Sequence, residues 1–155
     1  MDIVRLEKYP QFVPTVAEWL YKEWGHEIPG VSVAKIEARL QMFPDAQGVP
    51  TAFIALWEGV PVGVARLVAH DMDVRPMLSP WLASVFVLPQ FRKRGIGRTL
   101  CARVSAEAQQ FGFSYIYLFT PDRERFYAQQ GWETIERIVY RNKDVSVMQL
   151  RLCQV

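Results

Sequence analysis

The chain is poor in the residues that hold metals or form covalent cross-links. Its 155 residues include two cysteines and two histidines. Cys101 and Cys153 lie far apart, with neither the close spacing of zinc ligands nor the pattern of a disulfide framework. The sequence therefore predicts no metal site and no disulfide scaffold. We expect both cysteines to be buried, reduced thiols.

An excess of one charge and long apolar runs are also missing. The formal net charge is +2, so composition predicts no nucleic-acid partner. No segment reaches the ~18 consecutive apolar residues of a membrane helix, and the segment MDIVRLEKYP lacks the apolar core of a signal peptide. We expect one domain over residues 1–155, cytoplasmic, without membrane contact, and present as a monomer or homodimer.

Hydrophobic periodicity divides the chain into strands and helices. Alternation of polar and apolar residues predicts a strand over Asp2–Leu6. Runs rich in β-forming residues, bounded by glycine, proline or polar turns, predict six more, over Thr51–Trp57, Val60–Ala69, Trp81–Leu88, Tyr115–Phe119, Trp132–Tyr140 and Val145–Leu152. Helical spacing and end signals predict four helices, over Gln11–Trp24, from Ser32 to about Phe43, from about Gly95 to about Gly112, and over Pro121–Gln130. The turns Glu58-Gly59 and RNKD predict hairpins. This order predicts a mixed α/β protein built around one sheet, in which only the unit from Trp81 to Phe119 requires a parallel crossover.

The segment FRKRGIGRTL begins the helix of that crossover. A loop between a strand and a helix start directs backbone amides at one point, where the helix dipole adds positive potential. Gly95 and Gly97 leave those amides open, and basic residues surround them. This pattern favours an anion such as phosphate. Turn chemistry and a solvated basic face explain the same residues about equally well, so the segment alone leaves the choice open.

Two segments together resemble the GNAT superfamily of N-acetyltransferases. VFVLPQFRKRGIGRTL is similar to the superfamily's acetyl-CoA signature, with Arg92, Gly95 and Gly97 at its Arg/Gln-x-x-Gly-x-Gly/Ala positions. FYAQQGW is similar to a second signature, in which a tyrosine is followed three residues later by glycine and an aromatic residue. The order of elements agrees along essentially the whole chain. The resemblance implies a single mixed, mostly antiparallel sheet with a splayed central parallel strand pair, flanked by about four helices.

The resemblance also implies a reaction and a set of residues. A primary amine attacks the thioester of acetyl-CoA, the backbone amide of Phe86 or Val87 stabilises the oxyanion, and Tyr127 protonates the leaving thiolate, with its phenol taken at the ordinary pKa of ~10. The implied cofactor-binding residues are Val85, Phe86, Val87, Arg92, Lys93, Arg94, Gly95, Ile96, Gly97, Arg98 and Thr120. Thr120 is a departure, since many members carry asparagine there.

The sequence leaves the general base and the acceptor unassigned. Candidates for the base are His26, Glu27, Glu58, His70 and Asp71, or a chain of waters. The expected acceptor is a small molecule or peptide with an amine, contacted by residues among Trp24, His26, Glu27, Ile28, Met77, Leu78, Trp81 and the RNKD turn. Trp24 and Trp81 are equally well explained as core residues. The alternative function is a catalytically weak acyl-CoA-binding or sensing module.

Overall fold

A computed structural model describes residues 1–153 of the chain. It contains seven strands and four α-helices. The strands are β1 (Asp2–Arg5), β2 (Thr51–Trp57), β3 (Val60–Val68), β4 (Trp81–Val87), β5 (Tyr115–Thr120), β6 (Glu133–Tyr140) and β7 (Lys143–Arg151). The helices are α1 (Val13–Trp24), α2 (Val33–Leu40), α3 (Ile96–Gln110) and α4 (Glu124–Ala128). None of the described helices is both long and apolar enough to cross a membrane.

All seven strands form one sheet in the order β1-β2-β3-β4-β5-β7-β6. Five of the six neighbouring pairs are antiparallel, and β4 with β5 is the parallel pair. Helix α3 makes the crossover between β4 and β5, as a parallel connection requires. The predicted fold class, a mixed and mostly antiparallel sheet with a central parallel pair and four helices, is confirmed.

Helices cover both faces of the sheet, so its central strands are apolar on both sides. On β2, Phe53 and Ala55 pack with residues of α3, whereas Ile54 and Leu56 pack with residues of α1 and α2. A third apolar cluster is formed by residues of β3, β4, β6 and β7 and contains the fully buried Trp81. Alternation along the strands thus divides the core between the two faces.

Several predicted boundaries are wrong, each for a local reason. Helix α2 begins at its predicted cap, Ser32, whose hydroxyl accepts a hydrogen bond from the Lys35 amide at 3.1 Å, but it ends at Leu40 and leaves Phe43 85% exposed. Strand β7 begins at Lys143 because the hairpin turn is the residue pair Arg141-Asn142, both at positive φ.

Two further predictions, the start of α4 and the burial of Cys153, are wrong. Helix α4 starts only at Glu124, because the Thr120 hydroxyl accepts a hydrogen bond from the Arg123 amide at 2.9 Å and holds the intervening residues in a turn. Cys101 is buried as expected, but Cys153 is exposed. The latter lies just beyond the last strand, where no element covers it.

Candidate active site

A cleft opens where β4 and β5 part. Within residues 1–153 the ladder between these strands consists of the single pair Trp81 and Tyr117, and beyond it the strands diverge. The cleft has a volume of about 810 Å³, within the range of small-molecule sites. Its walls come from β4, the start of α3, the end of β5, α4, the loop after α1 and the β6–β7 turn.

A β-bulge in β4 accompanies this divergence. Ala83 pairs with Arg66 and Phe86 pairs with Val64, so Ser84 and Val85 together oppose one residue of β3. Ser84 has φ of 56°, in the left-handed region that non-glycine residues rarely adopt. A bulge bends its strand and increases the local twist, which directs the rest of β4 away from β5. The bulge was not predicted; the polar Ser84 within the apolar run WLASVFV is its only signal in the sequence.

The backbone of Val87 faces the cleft. The Leu88 amide donates to Val62 O of β3 at 2.9 Å, and because backbone groups alternate between the two edges of a strand, the preceding residue presents its amide and carbonyl to the opposite edge. In agreement, Val87 O accepts a hydrogen bond from Arg92 Nε at 2.8 Å. The amide of Val87 is therefore a donor on the cleft side.

Gly95 and Gly97 shape the start of α3. Gly95 is the cap residue, with φ of 81°, a conformation that glycine adopts without strain. Thr99 makes the first helical hydrogen bond, to Gly95 O, so the amides of the three preceding residues have no helical acceptor. A Cβ added at Gly97 would lie 3.7 Å from Phe126 and Val87 side-chain atoms, an ordinary contact. Glycine at position 97 therefore keeps the cleft open, although the surrounding packing would also accept a Cβ there.

The basic residues around these glycines have different positions. Arg92, Lys93 and Arg98 line the cleft, and the Arg92 guanidinium also lies 5.6 Å from the centre of the Phe86 ring. Arg94 is absent from the cleft wall and its guanidinium packs over Trp57 and Phe91, at 5.4 and 5.1 Å. Three positive side chains thus accompany the open amides, while the Arg94 side chain packs over an aromatic pair instead.

Tyr127 lies on the opposite wall. It is 8% exposed and packs against Phe126 and Trp132, with ring centres 5.0 and 6.1 Å away. Burial, and to a smaller extent the nearby Cys101, raise the pKa of its phenol well above the ordinary value. The ordinary pKa assumed from the sequence is therefore wrong. The phenol keeps its proton throughout the physiological range and is a weaker acid than a free tyrosine.

Thr120 also lines the cleft, at the end of β5. Its oxygen already accepts a hydrogen bond from the Arg123 amide, which leaves the hydroxyl proton and one lone pair for a ligand.

The end of the cleft away from the glycines holds both signs of charge. Glu27 accepts a hydrogen bond from Lys143 across the cleft. Asp71 is half-buried near Arg66 and Arg141, and its burial raises the carboxyl pKa to about 6. Among the base candidates, His26, Glu27 and Asp71 line the cleft, whereas Glu58 and His70 do not.

Only some of the residues expected to contact the acceptor line the cleft. Trp24, Ile28 and members of the β6–β7 turn line the cleft, but Met77 and Leu78 do not. Trp81 is fully buried and its indole donates a hydrogen bond to Leu78 O at 2.7 Å. It is therefore a core residue. Glu23, Arg39 and Asp122 also line the cleft and were not singled out from the sequence. In the described part of the chain, no cluster of three or more His, Cys, Asp or Glu side chains is arranged to hold a metal ion.

Comparison with known proteins identifies the class of this fold and cleft. The family model of the GNAT acetyltransferase domain matches residues 50–134. Aminoglycoside N(6')-acetyltransferase type 1 of Salmonella typhimurium is 31% identical over 101 residues, which cover 59% of this chain and 68% of the relative. The crystal structure of aminoglycoside 6'-acetyltransferase type Ii superposes with a TM-score of 0.77 at 19% identity, covering 100% of this chain and 99% of the other. A putative acetyltransferase from Salmonella typhimurium, solved with acetyl-CoA, gives a TM-score of 0.74 at 17% identity over 99% and 95% of the two chains.

The chain belongs to the GNAT family of acetyltransferases. The family match spans the β2–β3 hairpin, the glycine segment, the crossover helix and Tyr127, which are the parts that form most of the cleft. The enzyme class expected from the sequence, an N-acetyltransferase, is thereby confirmed.

Proposed function

We propose that this chain, folded as one domain, transfers the acetyl group of acetyl-CoA to a primary amine of a small cationic molecule by direct attack on the thioester. The observation that carries the proposal is the opening between β4 and β5, which has uncapped helix amides at one end and a protonated tyrosine on its wall. The solved neighbour with acetyl-CoA supports the choice of cosubstrate.

The residues at the glycine end fit a pyrophosphate. The free amides at the start of α3 and the helix dipole favour an anion there, and Lys93 and Arg98 add charge-assisted hydrogen bonds. The unpaired edge of β4 offers backbone groups to an extended pantetheine chain in the manner of an added strand. Val85, Phe86, Ile96 and Thr120 complete this wall.

Two groups act on the reacting atoms. The Val87 amide, which faces the cleft, donates to the oxyanion that forms when the amine attacks the carbonyl. The thioester supplies an activated acetyl group. Tyr127 donates its proton to the departing sulfur, and its raised pKa ensures that this proton is present at neutral pH. Between the two amides considered from the sequence, strand alternation favours Val87 over Phe86.

Asp71 is the best suited of the base candidates. It lines the cleft, and a pKa of about 6 makes it a stronger base than an ordinary carboxylate while it remains mostly ionised at neutral pH. The charges of Arg66 and Arg141 favour its ionised form. We assign to it the proton that the acceptor's ammonium group loses, directly or through water, to become the neutral amine that attacks the thioester.

The acceptor class follows from the relatives and from the carboxylates of the cleft. Two relatives are aminoglycoside acetyltransferases by name, and their substrates carry several amines. Glu23, Glu27 and Asp122 line the acceptor half of this cleft and provide negative charge for ammonium groups.

Thiol release and product mass from purified protein, acetyl-CoA and a panel of amines test the proposal. The panel should contain an aminoglycoside, a polyamine, an amino acid and a peptide. Acetylation of the cationic small molecules above the rate without enzyme is the expected result. Tight binding of acetyl-CoA with no transfer to any amine would instead support the sensing module.

A further inference from the structure

Lys143 and Glu27 join two sides of the acceptor half of the cleft. Lys143 begins β7 directly after the turn Arg141-Asn142, and Glu27 lies in the loop between α1 and α2. The Lys143 ammonium donates a hydrogen bond to Glu27 Oε1, although 116 positions separate the two residues. Both side chains line the cleft. In the free protein the Glu27 carboxylate, which lines the cleft, is thus already paired with the ammonium group of Lys143.

The solvent exposure of the two side chains allows another ammonium group to replace Lys143 at Glu27. The Glu27 side chain is 18% exposed, so its carboxylate has lost much of its hydration and gains from a cationic partner. The Lys143 side chain is 50% exposed, so its ammonium can return to water on a flexible stem. An ion pair with one such exposed partner contributes little net stability. Replacement of Lys143 by another ammonium group at Glu27 is therefore nearly neutral for the fold.

We propose that Lys143 is an internal competitor of the acceptor: it holds Glu27 in the free enzyme and is displaced by an ammonium group of a cationic acceptor. The inference rests on the proposed function, because it concerns the acceptor of the same cleft. An acceptor that carries a second ammonium beside the reacting amine gains Glu27 on binding. A monoamine has no group left for Glu27 and leaves the lysine in place. Lys143 is thus a specificity-determining residue.

Lys143 is not itself the acetylated amine in this scheme. Its hydrogen bond to Glu27 and the charge of that carboxylate raise the pKa of the lysine. The side chain therefore stays protonated at neutral pH and has no free electron pair for attack on a thioester.

Calorimetry on the complex with free coenzyme A tests this competition without turnover. The probes are tobramycin, which has several amines, and D-glucosamine, which has one. Lys143→Met should lower the Kd of tobramycin about two- to fivefold, the range set by an exposed ion pair, and leave that of D-glucosamine unchanged. Glu27→Gln should weaken tobramycin binding, and in that background Lys143→Met should have no further effect. Lys8→Met, an exposed lysine outside the cleft, controls for net charge and should change neither probe.

Several results would overturn the proposal. If Lys143→Met weakens tobramycin binding, or shifts both probes equally, the lysine is a structural connection or a general repulsive charge. If tobramycin binds none of the variants, Glu27 does not receive such a group. Failure of the proposed function looks different: the binding pattern would hold, yet neither probe would be acetylated when acetyl-CoA replaces coenzyme A.

Discussion

Replacement of Tyr127 by phenylalanine removes one hydroxyl from the cleft wall and little else. The ring keeps its contacts with Phe126 and Trp132, and the hydroxyl makes no side-chain hydrogen bond within residues 1–153. The free energy of unfolding should therefore change by less than about 1 kcal/mol. Affinity for acetyl-CoA should also be retained, because the amides proposed to bind its pyrophosphate lie on α3, whereas Tyr127 lies on α4.

The expected effect on catalysis follows from the acidity of the phenol. A positioned general acid contributes about 10²- to 10⁴-fold to the rate. Burial raises the pKa of Tyr127, so the group is a weaker acid than free tyrosine, and we expect the lower end of this range. Tyr127→Phe should lower kcat about 100-fold, equivalent to about 2.7 kcal/mol of transition-state stabilisation.

Steady-state kinetics, calorimetric binding of acetyl-CoA and thermal unfolding together separate the possible roles. Tyr117→Phe is the matched control, since Tyr117 is a half-buried tyrosine of β5 outside the cleft. The raised pKa of Tyr127 also means that its proton is lost only above the ordinary pKa of tyrosine, so wild-type activity should show no alkaline decline from this group below about pH 10. A loss of less than threefold in kcat, or an equal loss in kcat and in acetyl-CoA affinity, would refute the role as general acid.

Four further outcomes are expected. Gly97→Leu should abolish acetyl-CoA binding in calorimetry while Gly97→Ala retains it, since a Cβ there meets only ordinary contacts; equal binding by both would contradict a phosphate site at this position. Glu107 is 1% exposed and pairs with two arginines that are about one-third exposed, so in urea unfolding Glu107→Gln should lose about 2 kcal/mol and the exposed control Glu18→Gln less than 0.5 kcal/mol; similar losses would show that the buried pair is unimportant. Ser84→Val should destabilise by about 1–2 kcal/mol because of the positive φ and weaken acetyl-CoA binding, whereas Ser84→Gly should do neither; a stable Val variant would mean that the bulge is not held in place. The pKa of Asp71 is raised, so its protonation stabilises the folded state, and this share of stability, up to about 3 kcal/mol, is present below pH 4 and lost as pH rises towards 6; Asp71→Asn should lack that part of the pH dependence of unfolding, and an unchanged pH profile would exclude it.

The sequence predicted those features that depend on neighbouring residues. Alternation in the first strand and β-rich apolar runs in the others placed all seven strands, and the turn Glu58-Gly59 was correct because both residues adopt positive φ, as a two-residue hairpin requires. The glycine segment was placed correctly at the start of α3, where Gly95 adopts a left-handed conformation. In each case local backbone chemistry decides the structure.

Features that depend on packing between distant segments were missed. The bulge at Ser84 arises from the register between β3 and β4. The order of polar and apolar residues along β4 does not predict that register shift. The contact between Glu27 and Lys143 joins opposite ends of the chain. The position of Arg94 over Trp57 depends on the β2–β3 hairpin lying beside the glycine loop. The raised pKa of Tyr127 likewise follows from tertiary burial, which no short motif reports.

Binding of acetyl-CoA and free coenzyme A to the purified chain tests the central claim most directly, since the cleft, the helix amides and the glycines are all assigned to this one ligand. Isothermal calorimetry with NAD and ATP as controls is the measurement. We predict saturable binding of both coenzyme A forms at one site per chain, with NAD and ATP much weaker. A folded protein that binds neither form would contradict the assignment of the cleft.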